Sequence, residues 1–308
     1  MQPSKTGAWP ISREVREAFG VPLAADLADA RSRHRLSLER RDEYWALQAE
    51  RLQWDEPFRE VSREAADGIA TTWFEGGRLN ACRHALDARL EAGGGDVCAL
   101  LVWRPDGSVT RWTYRELLAG VVRLAVALRA RGLAEGDRVA LYAPDEPEIV
   151  LLHLACARLG LVAVPISWRL SADLAGECLA DCGARALVVG GDPVDVGYAA
   201  RRDRLTASLS GVVAIALGGA PGGPLESLEA LLASVPEGAV LEPVSVPSEH
   251  PLFVRYARSA GGPRGAVFAT AGFLVQAAAS HAMLLDAASP TGPLPSVHSC
   301  LELDTVPA

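Results

Sequence analysis

Residues 136–166 read GDRVALYAPDEPEIVLLHLACARLGLVAVPI. Two short apolar runs, 138–142 and 162–165, bracket a longer one at 147–159 that opens on Pro147 and stops before Gly160. Proline at a first helical position and glycine just past the last one are the expected punctuation of a helix. The stretch therefore reads strand, helix, glycine turn, strand. Both strands are nearly continuous apolar runs, which a strand needs when helices cover both faces of its sheet. The run 149–166 is long enough to raise a membrane span, but it contains His153, Arg158 and Gly160. A buried helix, a turn and a buried strand account for it better.

The same alternation extends outward. Upstream, 98–103 reads as a strand, Pro105-Asp106-Gly107 as a turn and 108–112 as the returning strand, a hairpin signal. Thr113 then caps a helix whose Leu117, Val121, Leu124, Ala125 and Leu128 share one face, and Gly132 ends it. Downstream, Ser171 caps a helix reaching about residue 182. Strands follow at 186–190 and 212–217, then a flexible Gly-rich loop at 218–224 and a helix at 225–234. Strands alternating with helices predict βαβ units. The expected fold class is α/β, a mostly parallel open sheet flanked by helices, with a helical N-terminal arm. Residues 1–65 form that arm, with a helix start at Ser12-Arg13-Glu14 and large anchors at Trp45, Leu52, Trp54 and Phe58. Residues 66–286 form the α/β domain. The Pro-rich remainder, 287–308, reads as a disordered tail.

Composition narrows the partners. The net charge of -8 argues against nucleic acid, because phosphate backbones are held by a basic surface. Residues 1–10 are polar and carry no leader-like apolar run, so the expected location is cytoplasmic, with no membrane partner. The six cysteines include no C-x-x-C pair and the six histidines form no ligand cluster, so neither a metal site nor a disulfide framework is expected. Lys5 is the only lysine; every other basic side chain is an arginine. Arginine stays protonated and does not replace a lysine that must share its proton.

Several segments, in order, resemble one family. Trp54-Asp55-Glu56-Pro57-Phe58 and Trp73-Phe74-Glu75-Gly76-Gly77-Arg78-Leu79-Asn80 resemble the amino-terminal signature of acetyl-CoA synthetase and its short-chain relatives. Trp112-Thr113-Tyr114-Arg115-Glu116-Leu117, Gly136-Asp137-Arg138-Val139-Ala140-Leu141-Tyr142-Ala143-Pro144, Pro147-Glu148 and Ala155-Cys156-Ala157-Arg158-Leu159-Gly160 continue the likeness over residues 45–190. The resemblance implies an incomplete N-terminal domain of the adenylate-forming fold. It also implies the family's substrates: ATP with Mg, a short-chain carboxylate and CoA.

Residues 251–286 resemble the family's phosphate loop and the helix after it. Where the family reads Y-T-S-G-S-T-G-x-P-K-G, this chain has Tyr256-Ala257-Arg258-Ser259-Ala260-Gly261-Gly262-Pro263-Arg264-Gly265, one residue shorter. The resemblance marks Ser259, Gly261, Gly262, Arg264 and Gly265 as candidate phosphate-loop residues. Glycines let backbone N–H groups approach phosphate oxygens, and a basic residue adds charge-assisted bonds. A Gly-rich surface turn between a strand and a helix is the other reading, and both stay open. Cys178 falls where the relatives carry an arginine suited to a CoA phosphate, with Arg169 and Arg185 as possible substitutes, so the CoA-binding residues are unassigned. No catalytic residue is assigned, because the family's adenylation lysine belongs to a carboxy-terminal domain that follows the matched region. The expectation is an acetyl-CoA synthetase-like ligase by family that is inactive alone. The alternatives are a non-catalytic binding or scaffold protein, or a half-enzyme completed by another chain.

Overall fold

The computed structural model describes residues 27–284 apart from 67, 69, 105, 145, 192–196, 208, 219–224 and 260–261. The helix start at Ser12, the body of the Gly-rich loop, Gly261 and the Pro-rich tail lie outside the described residues. In chain order come helices α1 (Leu27–Glu39) and α2 (Arg41–Ala49), then strands β1 (Glu60–Glu64), β2 (Thr71–Glu75) and β3 (Arg78–Leu79). A π-helical turn at Arg83–Asp87 runs into α3 (Ala88–Glu91). The hairpin β4 (Cys98–Trp103) and β5 (Val109–Thr113) leads to α4 (Tyr114–Ala130). The alternating section is β6 (Arg138–Tyr142), α5 (Pro147–Leu159), β7 (Val162–Pro165), α6 (Ala172–Cys182), β8 (Ala186–Val189), α7 (Tyr198–Ala207) and β9 (Val213–Ala216). Then come β10 (Glu226–Ser227), α8 (Leu228–Ala233), β11 (Val246–Pro247), β12 (Pro251–Ser259), β13 (Gly262–Ala269) and α9 (Thr270–Leu284).

The chain divides into two compact units. The larger holds Ala81–Val244 and Pro251–Phe268 and is built on a seven-stranded sheet ordered β10-β9-β8-β6-β7-β12-β13. From β10 through β12 every pairing is parallel. The path from β6 to β7 runs one way along the sheet and the path from β7 to β8 runs back across β6. Right-handed crossovers therefore place α5 on one face and α6 and α7 on the other. The contacts agree, with α5 against α4 and α6 against α7. Alternate strand residues serve alternate faces: Ala140, Tyr142, Val164, Ile166, Leu187 and Val189 meet Ala175, Cys178, Leu179, Tyr198 and Leu205 in one buried cluster.

The helices start where side chains can satisfy their free N–H groups. Thr113 Oγ1 accepts from Glu116 N at 3.2 Å and the Glu116 carboxylate accepts from Thr113 N at 2.8 Å, a reciprocal cap on α4. Ser171 accepts from Leu174 N at 3.3 Å at the head of α6. One expected boundary moves. The helix expected at 225–234 begins at Leu228, because Glu226 and Ser227 first pair with Ile215 and Ala216 of β9, after which Ser227 caps α8. Helix α7 carries a weak sequence signal, since Tyr198, Leu205 and Thr206 are its only buried residues and arginines fill much of the rest.

The smaller unit shows what the amino-terminal signature does. Strands β1 and β2 pair antiparallel, with Ser62 opposite Trp73, and β3 pairs with β11. Ala46, Ala49, Leu52, Val61, Phe74 and Leu79 form a core with Ala271 and Val275 of α9, flanked by Trp45, Trp54 and Phe58. The Trp54 ring sits 5.1 Å from Phe58 and 5.7 Å from Phe74, centroid to centroid. A Cβ on Gly77 would lie 2.5 Å from the Trp54 ring, so this glycine is required by close approach.

A buried ion pair organises the α5 side of the larger unit. Arg158, 4% exposed, donates to both carboxylate oxygens of Asp87 at 2.9 and 3.2 Å and through Nε to the Leu241 carbonyl at 2.8 Å. Removing one member of such a pair strands a buried charge. Asp87→Asn is expected to lower unfolding free energy by about 3 kcal/mol in urea titration. Arg158→Met with Asp87→Asn is expected to be less destabilised than Asp87→Asn alone, because no charge is then stranded.

A second buried network ties the carboxyl ends of β6 and β8. Gly190 N donates to the Tyr198 hydroxyl at 2.8 Å, which donates onward to the Tyr142 carbonyl at 2.5 Å. The Glu146 carboxylate accepts from the Gly191 backbone, yet burial and the neighbouring Glu148 push its pKa up to about 7. A pKa raised in the folded state favours the protonated form there. The stabilisation is fully present below the ordinary value of 4.5 and is lost as pH rises through 7. Glu146→Gln keeps the shape and cannot ionise. Its melting temperature relative to the parent is expected to rise between pH 4.5 and 7 and to level off above that window.

Candidate functional site

The candidate phosphate-loop residues fall on the hairpin β12–β13. Its first strand is anchored inside the sheet by parallel pairing of Phe253 with Ala163 of β7, and its second forms the sheet edge. Ser259 is the last residue of β12 and Gly262 the first of β13, with φ at +101°. Arg264 and Gly265 lie further along β13, both exposed. The turn expected between a strand and a helix is therefore a turn between two strands, and α9 starts only after β13 is complete. The reason is in the sequence after the turn: Gly265-Ala266-Val267-Phe268-Ala269 offers a β-compatible run whose Phe268 ring stacks on Phe253 at 4.5 Å.

Packing divides these residues by role. A Cβ on Gly265 would sit 3.1 Å from Val254 and 3.3 Å from the Tyr256 ring, so this glycine seats Tyr256 across the hairpin. The Tyr256 hydroxyl donates to Asp181 of α6 at 2.5 Å, and its pKa is driven up by burial and by that carboxylate. Thus Gly265 belongs to the support of the hairpin, while Ser259 and Gly262 flank its tip. Arg264 carries an exposed guanidinium that forms no ion pair with a described residue. The exposed Arg264 guanidinium can serve an anion as a charge-assisted donor. Tyr256 is legible in the sequence only as a residue of the motif, and no spacing says that it bonds Asp181.

Cys178 stands where the resemblance puts an arginine suited to a CoA phosphate. Cys178 is fully buried in α6, and burial pushes its thiol up to about 11. Arg169 lies in the turn between β7 and α6, its guanidinium 4.4 Å from the Trp168 ring centroid. Trp168 in turn meets Tyr198 edge-on at 6.0 Å. Arg185 is exposed just before β8, the opposite end of the parallel strands from Arg169. Among the described residues no group of three or more His, Cys, Asp or Glu side chains is placed to hold a metal ion, and no helix is long and apolar enough to cross a membrane.

Comparison with known proteins follows this architecture. Residues 89–301 match the AMP-binding enzyme family, and residues 31–85 match the acetyl-coenzyme A synthetase N-terminus. An acetyl-coenzyme A synthetase of Burkholderia lata is 35% identical over 290 residues, 87% of this chain and 43% of the relative. One from Cupriavidus necator is 37% identical over 254 residues, 76% of this chain and 37% of the relative. The structure of an acetoacetyl-CoA synthetase from Streptomyces lividans superposes with a TM-score of 0.75 at 26% identity, covering 92% of this chain and 45% of that one. This chain spans less than half the length of these relatives. With a family match over most of its length and an acetyl-CoA synthetase-type amino terminus ahead of it, the chain belongs to the AMP-binding enzyme family, on its acetyl-CoA synthetase-like side.

Proposed function

We propose that this chain is the amino-terminal part of an AMP-forming acyl-CoA ligase of short-chain type, and that on its own it does not complete acyl-CoA synthesis. The observation that carries the reading is the hairpin tip, where Ser259 is the one hydroxyl and Arg264 stands at the family's lysine position. The family reaction has two steps. A carboxylate attacks the α-phosphate of ATP, forming acyl-adenylate and releasing pyrophosphate; the CoA thiol then displaces AMP. Catalysis of the first step is positioning plus charge stabilisation around the phosphoryl group.

The residues present fit a weak phosphate contact. Gly262 opens β13 with φ at +101°, and the exposed Arg264 close behind it supplies a positive charge. They do not supply the rest. Lys5 is the only lysine, and the likeness covers less than half of each ligase compared. Losing a single electrostatic contact of this kind lowers rate by about 10²–10³. Magnesium and ATP would therefore meet one edge of a site. The buried Cys178 supports the same view of CoA, since a thiol in the core offers no partner to a phosphate.

ATP–pyrophosphate exchange with acetate, propionate or acetoacetate is expected to stay at the level of a no-acid control for the folded chain. Exchange above that control would overturn the reading. Pyrophosphate binding by calorimetry is expected to be weak and to drop by about tenfold in Arg264→Ala, the loss of one charge-assisted contact. Equal binding by parent and variant would remove Arg264 from the site.

A further inference from the structure

Large apolar side chains stand exposed together on the hairpin β4–β5: Leu101 by 40%, Trp103 by 73% and Val109 by 48%. The register sets Trp103 opposite Val109 and Leu101 opposite Arg111, which is also exposed. Cross-strand partners point to the same side of a sheet, and so do residues two apart. These four side chains therefore form one outer face. Leu100, Val102, Thr110 and Trp112 alternate with them and are half-buried, and helix α4 packs against both strands. Arg111 is the one charge on the outer face. Neither its side chain nor that of Trp103 makes a hydrogen bond, ion pair or ring contact among the described residues. Apolar and aromatic side chains with a single arginine are the composition of an interface centre.

We propose that this face docks a second copy of the chain, the two hairpins packing face to face about a two-fold axis. The face carries its own complement, a cation and the aromatic ring that attracts it. When two such faces meet about a two-fold lying between them, the strands are either superposed or exchanged. In the first case each Arg111 lies over Val109 of the second copy, in the second over Leu101, and Trp103 adjoins both on that face. The guanidinium reaches the other copy's indole either way, a pairing the chain already makes between Arg169 and Trp168 at 4.4 Å. An anionic bilayer fits less well, because one arginine does not reverse the repulsion from a net charge of -8. Four side chains cover less than the roughly 800 Å² per partner of a standard interface, so the dimer is weak, with a dissociation constant of about 10–100 μM. It is independent of whether the chain adenylates a carboxylate.

Sedimentation velocity of the folded chain from about 1 to 200 μM tests this. The expected result is a monomer–dimer equilibrium that tightens by about threefold between 20 and 300 mM sodium chloride, as the like net charges of the two copies are screened. Trp103→Ser and Val109→Lys are each expected to weaken dimerisation by about tenfold, with circular dichroism unchanged because both positions are exposed. Arg111→Leu is expected to weaken it several-fold, since the cation over the indole is lost; a tighter dimer in that variant would overturn the packing of Arg111 on Trp103. A chain that stays monomeric over the whole range overturns the proposal, as does a dimer that none of the three substitutions weakens. A monomer that binds phosphatidylglycerol vesicles, and loses that binding in Trp103→Ser, would assign the face to a lipid surface and overturn the proposal as well.

Discussion

Arg158 is the charge on which the α5 side of the larger unit depends. It sits in a largely apolar helix, and its bonds to Asp87 and the Leu241 carbonyl compensate its burial. Through those bonds α5 holds the π-helical turn at Arg83–Asp87 and the segment that approaches Val244, whose N–H donates to the Arg158 carbonyl at 2.8 Å. The same helix ends at Gly160 and hands the chain to β7, the neighbour of the hairpin strand β12. One residue that looked out of place in an apolar run is thus what fixes the run in register with its surroundings.

The alternating section was the most legible part of the fold. The bounds of α5 and β7, and the caps at Thr113 and Ser171, coincide with the elements read from residues 98–190, because each is bounded by a proline, a glycine or a capping hydroxyl. What stayed hidden depends on partners remote in sequence. Strand β13 looked like a turn, since nothing local shows that Phe268 will stack on Phe253. Helix α7 has no reading from the sequence, because its face is set by Tyr198 fitting between Tyr142 and Trp168, not by an apolar stripe. Gly77 could be quoted as part of a signature, but its reason, the Trp54 ring, is a tertiary contact.

The candidate site follows the same division. The residue types at the tip could be read from the order of Ser259, Gly262 and Arg264. Their split into tip and support could not, because Gly265 is defined by Tyr256 and Tyr256 by Asp181 of a helix 75 residues away. A shared fold does not carry its chemistry with it; function lives in the site.

The most direct test of this account is a single-turnover reaction of the folded chain, in excess over α-phosphate-labelled ATP, with acetate and magnesium, followed by acid quench and separation of labelled products. The account predicts that all label remains in ATP. Labelled acetyl-adenylate or AMP that appears only with acetate would contradict it, and would mean that the hairpin carrying Ser259, Gly262 and Arg264 suffices for adenylation.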